Sequence, residues 1–239
     1  MTTLRLCALL LALAPLAGPA GAAAPDREAE FHARRIALVR AIEVHGVRDS
    51  ATLDAMRRVP RHEFVLPHDR DQAYGDHPLP IGHGQTISQP YVVAYMTEVL
   101  RLRPGLKVLE VGTGSGYQAA VLAQIGCAVR TIEIFKALAD SARARLRRLG
   151  YRDVVVRHGD GHFGWPDEAP FDAVIVTAAA GYIPPRLVEQ LRPGGRMVIP
   201  VGSVYGVQSL VLVDKDRDGR LRTRNLLPVR FVPMLKGRR

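Results

Sequence analysis

The chain has 239 residues, of which 47% are hydrophobic and 23% are charged. These proportions are those of ordinary globular proteins, and they exclude a disordered, collagen-like or disulfide-stapled chain. The formal net charge of +10 raises nucleic acid or an anionic surface as a partner, although charge concerns association rather than fold.

The first 24 residues have the features of an export signal. Arg5 precedes an apolar run over residues 6–14, and small residues continue to Ala24. This pattern is typical of a signal peptide with a small-residue cleavage site, and the run is shorter than the roughly 20 residues of a membrane span. We interpret residues 1–24 as a signal peptide or leader. A disordered leader or a start codon assigned too early is the alternative.

Two helices are predicted next. Apolar residues recur at helical spacing from Asp26 to about His45. A second, shorter helix is predicted from Ser50 to Arg58, capped by Ser50 and ended before Pro60. Residues 60–89 are rich in Pro, Gly and His without a clear period, which indicates a functional or a disordered loop.

From residue 91 onward, predicted strands and helices alternate. Helices are predicted over residues 91–100, 117–124, 136–149 and 184–191, and strands over residues 107–111, 128–133, 154–156, 171–176, 195–200, 208–213 and 226–232. Alternation of this kind implies right-handed βαβ units, with an antiparallel edge formed by the last two strands in an order left open. The expected fold class is α/β: a Rossmann-like, doubly wound, mostly parallel seven-stranded sheet with helices on both faces and an N-terminal helical extension.

A glycine-rich loop is the strongest local signal. Residues 112–116, Gly-Thr-Gly-Ser-Gly, follow the first strand of the alternating region and precede a helix, which is where open sheets bind ligands. Dinucleotide-binding loops have the spacing G-x-G-x-x-G, with a pyrophosphate at the helix N-terminus. The spacing here is G-x-G-x-G, and Glu110 would repel pyrophosphate but suits a ligand that carries an ammonium group.

Two further acids follow the next two strands. Glu133 ends the second strand, about 20 residues after the loop, where an acid can bind both ribose hydroxyls. Asp160 and Gly161 follow the third strand, where an acid can accept from an adenine amino group. For any one acid, a surface carboxylate or a helix cap is the alternative. Adenosine joined to a cationic amino-acid tail describes S-adenosylmethionine, which we expect as the cofactor.

These residues resemble known families. Residues 110–116 with Glu133 and Asp160 resemble the first motifs of class I S-adenosylmethionine-dependent methyltransferases. Residues 81–90, Ile-Gly-His-Gly-Gln-Thr-Ile-Ser-Gln-Pro, more specifically resemble the protein-L-isoaspartate (D-aspartate) O-methyltransferase family, and residues 57–65, 73–74, 177–180 and 191–196 add to the resemblance. The similarity extends from about Asp26 to Val232. The leader is a departure, because the family is mainly cytosolic.

The resemblance implies a protein-repair reaction. A methyl group passes from S-adenosylmethionine to the free α-carboxylate of an L-isoaspartyl residue, and the ester converts through a succinimide towards normal aspartate. A carboxylate with a pKa of about 4 is already ionised at neutral pH, so no general base is needed. Residues 25–90 would then carry helices and a substrate-binding loop, in one domain with a methyltransferase core over residues 91–235.

The resemblance also assigns roles to single residues. Ser88 becomes the catalytic hydroxyl, and Gln85 and Thr86 join it as substrate-binding residues. From spacing alone, Ser88 as a helix cap is the favoured interpretation, and both roles can coexist. The implied cofactor-binding residues are Glu110, Gly112, Thr113, Gly114, Ser115, Gly116, Glu133, Asp160 and Gly161.

Several alternatives stay open at this point. The positive charge and the arginines of residues 143–148 favour a methyltransferase acting on nucleic acid or a small molecule, and a binding module without activity is a third interpretation. The expected partners are isoaspartyl-containing proteins and peptides, with no specific nucleic acid, no stable membrane association, no metal and a monomeric state. The leader favours the periplasm or secretion, but the cofactor is made in the cytosol, and we therefore expect a cytoplasmic protein.

Overall fold

The computed structural model describes residues 23–237 of the chain. The signal peptide or leader that we predict over residues 1–24 lies outside the described residues, apart from its last two positions, and stays a prediction. Within residues 23–237, no helix is long and apolar enough to cross a membrane.

The described residues form six α-helices, four short 3₁₀ helices and nine strands. The α-helices are α1 (Ala23–Val44), α2 (Ser50–Arg58), α3 (Pro90–Val99), α4 (Tyr117–Gln124), α5 (Lys136–Arg148) and α6 (Pro185–Gln190). The strands are β1 (Leu79–Gly82), β2 (Gln85–Ile87), β3 (Lys107–Val111), β4 (Ala128–Glu133), β5 (Val155–His158), β6 (Phe171–Val176), β7 (Leu191–Gly202), β8 (Gln208–Lys215) and β9 (Leu221–Val229). The 3₁₀ helices are Arg61–Glu63, Pro67–Gln72, Gly161–Phe163 and Pro166–Glu168.

Seven strands form the central sheet, in the order β5-β4-β3-β6-β7-β8-β9. The strands from β5 to β7 in this order pair in parallel, and β8 and β9 add to the edge in antiparallel. The predicted α/β class with a mostly parallel seven-stranded sheet is therefore confirmed, and the order of the last two strands is now defined.

The sheet has its topological switch point beside β3. The chain runs from β3 outward to β4 and β5 on one side, and returns to place β6 on the other side of β3. Ligands of open α/β sheets bind outside the carboxyl ends of the strands at such a point. The carboxyl end of β3 is Val111, and the glycine-rich residues 112–116 follow it directly.

Both faces of the central sheet are buried. Successive side chains of a strand point to opposite faces, so each strand contributes to two separate cores. In β6, Ala173 and Ile175 belong to a core shared with side chains of α1 to α5. Val174 and Val176 face the other way and pack in a second core with Leu187 of α6. Helices thus cover both faces, as predicted.

The N-terminal helices pack onto the first of these cores. Phe31 of α1 and Leu53 of α2 are buried in the same cluster as the sheet residues. The prediction of Ser50 as the cap of α2 is wrong by one residue. Asp49 is the N-cap, and its side chain accepts a hydrogen bond from the backbone N–H of Thr52 at 2.8 Å. A carboxylate is also favoured there by the helix dipole.

The segment predicted as an irregular loop is ordered. It contains two of the 3₁₀ helices and the β1–β2 hairpin, which pairs Leu79 with Ile87 and Pro80 with Thr86. This two-stranded sheet is separate from the central one. Leu79 and Ile87 point inward and are buried, so that the hairpin is anchored to the main core while Thr86 faces outward.

Candidate active site

One cavity at the carboxyl ends of β3, β4 and β6 contains most of the residues that we predict as functional. Its lining includes Glu110, Gly112, Thr113, Gly114, Ser115, Glu133 and Gly161 from the predicted cofactor side, and Gln85, Thr86 and Ser88 from the predicted substrate side. Residues widely separated in the sequence are therefore next to one another in the fold.

Gly116 and Asp160, which we also predict to bind the cofactor, do not line this cavity. Gly116 is the N-cap of α4, and a Cβ atom on it would lie 3.2 Å from Leu146 Cδ1. It therefore serves the packing of α5 against α4, and the prediction that it contacts the ligand is not supported by this geometry.

The carboxylate of Asp160 is bonded within the chain. Its Oδ1 accepts from the backbone N–H of His162 at 2.9 Å, and its Oδ2 accepts from the backbone N–H of Gly237 at 2.8 Å. Burial alone would raise the pKa of Asp160, but these hydrogen bonds outweigh burial and lower it. Gly161, the next residue, takes the position on the cavity wall.

The glycine loop approaches β6 closely. Gly112 has φ +100°, and a Cβ atom there would lie only 2.5 Å from Thr177 Oγ1. The Thr177 hydroxyl instead donates to the carbonyl oxygen of Gly112 at 2.7 Å. The residue at this position must therefore be glycine, both for its backbone angle and for its contact with Thr177.

Glu110 is a buried carboxylate without a partner. Its side chain is fully buried, and neither of its oxygens has a hydrogen bond within the described residues. The nearby Thr131 hydroxyl pairs with that of Thr113 at 2.6 Å. Burial raises the pKa of Glu110 to about 8; the nearby Thr131 hydroxyl opposes this rise in part, and the negative charge of Glu133 adds to it. An unpaired buried acid of this kind calls for a cationic or hydrogen-bond-donating ligand.

Glu133 is held rigidly at the end of β4. Its Oε2 accepts from the backbone N–H of Gly114 at 2.8 Å, and its Oε1 accepts from that of Phe135 at 3.0 Å. Each carboxylate oxygen has a second lone pair, which leaves acceptors for two ligand hydroxyls. These hydrogen bonds also tie the glycine loop to the neighbouring strand.

The charge of the cavity excludes a phosphate ligand. Among the described residues, Glu110 and Glu133 line it, but no Lys, Arg or His does. A pyrophosphate would meet the Glu133 carboxylate and a second buried acid without a compensating cation, so a dinucleotide does not fit. An adenosine with a cationic amino-acid tail fits both the acids and the glycine cradle, so the residues present suit S-adenosylmethionine.

The substrate side of the cavity is formed by the β1–β2 hairpin and the residues that follow it. Ser88 lies between β2 and α3, and it is partly buried. The N-cap of α3 is Gln89, so the interpretation of Ser88 as the helix cap is wrong. At the hairpin turn, the ring of His83 stacks on Phe135, a residue of the cavity wall, with centroids 5.4 Å apart, and this contact ties the hairpin to the segment after β4.

The C-terminal segment forms another wall that the sequence did not predict. Val232, Pro233, Met234 and Leu235 all line the cavity. The segment is fixed to the end of β6, because the backbone N–H of Ala179 donates to Val232 O at 2.8 Å and that of Met234 donates to Ala179 O at 2.7 Å. Of the wall residues that our prediction missed, Ile134 and Thr177 had a signal, since each directly follows a buried strand.

A second groove opens from the cavity to the surface. Thr86, Ser88, Thr177 and Val232 line both spaces. The far side of the groove is mostly apolar and is formed by Val207, Leu227, Pro228, Val229, Arg230 and Phe231. Ser88 therefore lies at the junction of the acid-lined cavity and the mostly apolar groove.

Comparison with known proteins assigns the chain to a family. The family model described as protein-L-isoaspartate(D-aspartate) O-methyltransferase matches residues 33–239. A protein-L-isoaspartate O-methyltransferase 2 of Syntrophobacter fumaroxidans is 54% identical over 239 residues, covering 96% of both chains. The corresponding protein of a Polaromonas species is 60% identical over 186 residues, covering 78% of this chain and 88% of its own.

A solved structure shares the fold as well. It is a Plasmodium falciparum protein assigned as a protein-L-isoaspartate O-methyltransferase, in complex with S-adenosyl-L-homocysteine. The TM-score is 0.75 at 26% sequence identity, and the match covers 85% of this chain and 99% of that one. The demethylated cofactor in that structure agrees with the chemistry of the cavity described above.

Proposed function

The chain belongs to the protein-L-isoaspartate(D-aspartate) O-methyltransferase family, and from this premise we propose how its own residues perform the methyl transfer. The enzyme transfers a methyl group from S-adenosylmethionine to the free α-carboxylate of L-isoaspartyl residues in damaged proteins. The resulting methyl ester converts through a succinimide towards normal aspartate. The observation that carries our assignment of roles is that Ser88 lies where the acid-lined cavity meets the mostly apolar groove.

We assign cofactor binding to the acids and the glycine loop. Glu110 pairs with the ammonium group, Glu133 accepts from the ribose hydroxyls, and residues 112–115 allow the close approach of the ligand. Asp160 and Gly161 form the adenine end, with Asp160 acting through Oδ2, which keeps a free lone pair beside its bond to Gly237, whereas Oδ1 is bonded to the backbone and the ring of His162. When bound, S-adenosylmethionine supplies an electrophilic methyl group on a sulfonium centre.

Ser88 is proposed to orient the acceptor. Its hydroxyl donates a hydrogen bond to one oxygen of the isoaspartyl α-carboxylate, which leaves the other oxygen directed towards the methyl group. The acceptor is already ionised at neutral pH, so alignment and exclusion of water are the tasks that remain for the protein. Thr86 and Gln85 shape the same wall.

The groove is the proposed path of the substrate chain. An isoaspartyl residue is part of a polypeptide, and its neighbours must leave the active centre along the protein surface. The apolar side formed by Val207, Leu227 and Phe231 offers contacts to those neighbours, and the exposed Arg230 offers a positive charge to acidic ones.

A paired-peptide assay tests the function and the role of Ser88. A peptide with isoaspartate and its twin with normal aspartate are each incubated with the enzyme and methyl-labelled S-adenosylmethionine, and base-labile methanol is counted. We expect label on the isoaspartyl peptide only, and a loss of about 100-fold in kcat for Ser88→Ala, in the range of a lost orienting contact.

The control variant is Ser203→Ala, which removes an exposed serine outside the cavity and the groove and should keep full activity. Equal labelling of both peptides would contradict the isoaspartyl specificity. Full activity of Ser88→Ala would contradict its role while leaving the function in place.

We further propose that the enzyme is monomeric, with support from the site itself. A single chain already brings the two acids, the glycine loop and Ser88 together around the cavity. Light scattering at the assay concentration should give the mass of a single chain, with full activity. Activity that disappears on dilution together with a larger species would contradict a monomer.

The place of action is proposed to be the cytosol, where the cofactor is made. N-terminal sequencing of the protein isolated from its native cells tests this. An N-terminus at Met1 or Thr2 agrees with the proposal, and one near residues 22–26 would contradict it and favour the periplasm.

A further inference from the structure

Helix α3 begins immediately after Ser88, but the residue that caps it comes from elsewhere in the chain. The N-cap residue Gln89 makes no side-chain capping bond. Asp76 Oδ1 instead accepts from the backbone N–H of Tyr91 at 2.8 Å, which satisfies one of the free N–H groups of the first turn. A distant aspartate thus does what a serine before a helix commonly does, and the Ser88 hydroxyl is released for the substrate.

The same carboxylate also holds the residue that follows Ser88. Asp76 Oδ2 accepts from Gln89 Nε2 at 2.9 Å. On the other side of Ser88, Ile87 is buried and paired with Leu79 in the hairpin. Ser88 is therefore fixed between a buried strand residue and a residue that Asp76 holds through its side chain.

The loop that carries Asp76 is itself fixed by a buried arginine. Arg61 is 1% exposed, and its Nε donates to Ala73 O at 2.9 Å while its Nη2 donates to His77 O at 3.4 Å. The two bonds bracket Asp76. The guanidinium carbon of Arg61 lies 4.9 Å from the ring centroid of Tyr117, which lines the cofactor cavity. A connected series of contacts thus extends from the cofactor side to Asp76.

We propose that Asp76 is a positioning residue, which sets the orientation of Ser88 by capping α3 and holding Gln89. The proposal rests on the function proposed above. Asp76 does not touch the reacting atoms, and its effect on methyl transfer passes through Ser88. Loss of the contacts of Asp76 should therefore lower kcat, the rate with substrate bound, and leave the affinity for the cofactor unchanged.

The test compares two helix caps of the same kind. Asp76→Ala removes the cap of α3, and Asp49→Ala removes the cap of α2, which is not part of the cavity or the groove. We expect both variants to unfold at a lower temperature, but only Asp76→Ala to lose about tenfold in kcat on the isoaspartyl peptide. The Kd for S-adenosylhomocysteine should stay within about twofold of the wild type in both.

A double variant shows whether the effect passes through Ser88. Adding Asp76→Ala to Ser88→Ala should cause no further loss in kcat, because the group that Asp76 positions is already absent. Asp76→Asn should keep most of the wild-type kcat. Its side-chain oxygen can still accept from the backbone N–H of Tyr91, and its side-chain NH₂ can donate to the side-chain oxygen of Gln89.

Other results would overturn the proposal. They are an equal effect of the two cap variants on kcat, or a full additional loss in the double variant. If Asp76→Ala does not fold, Gln89→Ala decides, because it keeps the cap and removes the second contact. Since Gln89 also lines the groove, kcat is compared at saturating peptide, and an unchanged kcat would then contradict the role. Failure of the wild type on the isoaspartyl peptide would instead overturn the proposed function.

Discussion

Glu110 shows how a single buried residue can favour binding over stability. The carboxylate belongs to the penultimate residue of β3 and lies without a hydrogen-bond partner in the described residues, in a cavity that also contains Glu133. Its raised pKa of about 8 means that the ligand-free protein keeps it protonated where an exposed acid is ionised. The fold therefore bears a cost that a cationic ligand relieves.

This cost predicts a pH dependence of stability. Between the ordinary pKa of 4.5 and the raised value of about 8, the folded chain retains a proton on Glu110 that the unfolded chain has released. The free energy of unfolding therefore falls as the pH rises through this window, by up to about 1.4 kcal/mol for each pKa unit. Glu110→Gln removes this contribution, so its melting temperature, relative to the wild type, should rise from pH 5 to pH 8.

Thermal melts of the ligand-free proteins across this range provide the measurement. Glu189→Gln changes an exposed glutamate of α6 in the same way and serves as the control. A difference between Glu110→Gln and the wild type that does not change with pH would contradict the assignment. The same variant should bind S-adenosylhomocysteine more weakly, because the partner of the ammonium group is lost.

At the scale of the element, the glycine loop restricts which residues its positions can accept. Gly112→Ala introduces both a strained backbone angle and a clash with Thr177. Gly150 has a similar φ of +91°, but a Cβ atom there would have no neighbour within 4 Å, so Gly150→Ala serves as the matched control. The backbone strain, about 1–2 kcal/mol, is common to both variants, so their difference measures the clash.

We expect Gly112→Ala to be less stable than Gly150→Ala by about 1–3 kcal/mol, the range for overpacking a filled site, and to bind S-adenosylhomocysteine at least about tenfold more weakly. Denaturant unfolding and calorimetric titration measure the two effects. Equal stability and affinity of the two variants would show that Thr177 moves aside freely.

Elements were predictable where a strand is mostly buried. The strands Lys107–Val111, Ala128–Glu133 and Phe171–Val176 have their predicted ends, and most positions in each are buried. The strand β9 begins at residue 221, five residues before the predicted start at 226. The prediction began too late because residues 221–225 are all exposed at the sheet edge and show no apolar alternation. The β1–β2 hairpin was missed because its strands have only four and three residues.

At the scale of the whole molecule, the two halves of the site differed in how far they could be predicted. The cofactor side follows from a rule of topology, since acids at successive strand ends meet at one edge of the sheet. No such rule predicts the wall formed by Val232–Leu235. It depends on the two antiparallel edge strands, which return the chain to the end of β6, and that path is a property of the assembled sheet.

The groove, which joins distant parts of the chain, predicts how substrates are held. Val207 lies in the groove and is 54% exposed, and Leu221 lies at the start of β9, outside the groove, and is 48% exposed. Val207→Ser should raise KM for an isoaspartyl peptide of ten or more residues by about three- to tenfold, as expected for one lost apolar contact, with kcat unchanged. Leu221→Ser should change neither constant.

Peptide length supplies a further comparison. A tripeptide centred on isoaspartate reaches less of the groove, so its KM should respond less to Val207→Ser than that of the longer peptide. Initial rates over a range of peptide concentrations give both constants. An equal effect of the two substitutions, or an effect confined to kcat, would contradict the proposed path of the substrate.

The acceptor wall lies on a hairpin that is not part of the central sheet, whereas the glycine loop and the three acids extend from the sheet itself. The residues proposed to meet the acceptor carboxylate are thus encoded in a different stretch of the gene from the glycine loop and the acids. Recombination or local mutation within the codons for residues 73–91 can change the acceptor without rebuilding the donor site. An engineer could exchange that one contiguous stretch between relatives and ask whether acceptor preference moves with it.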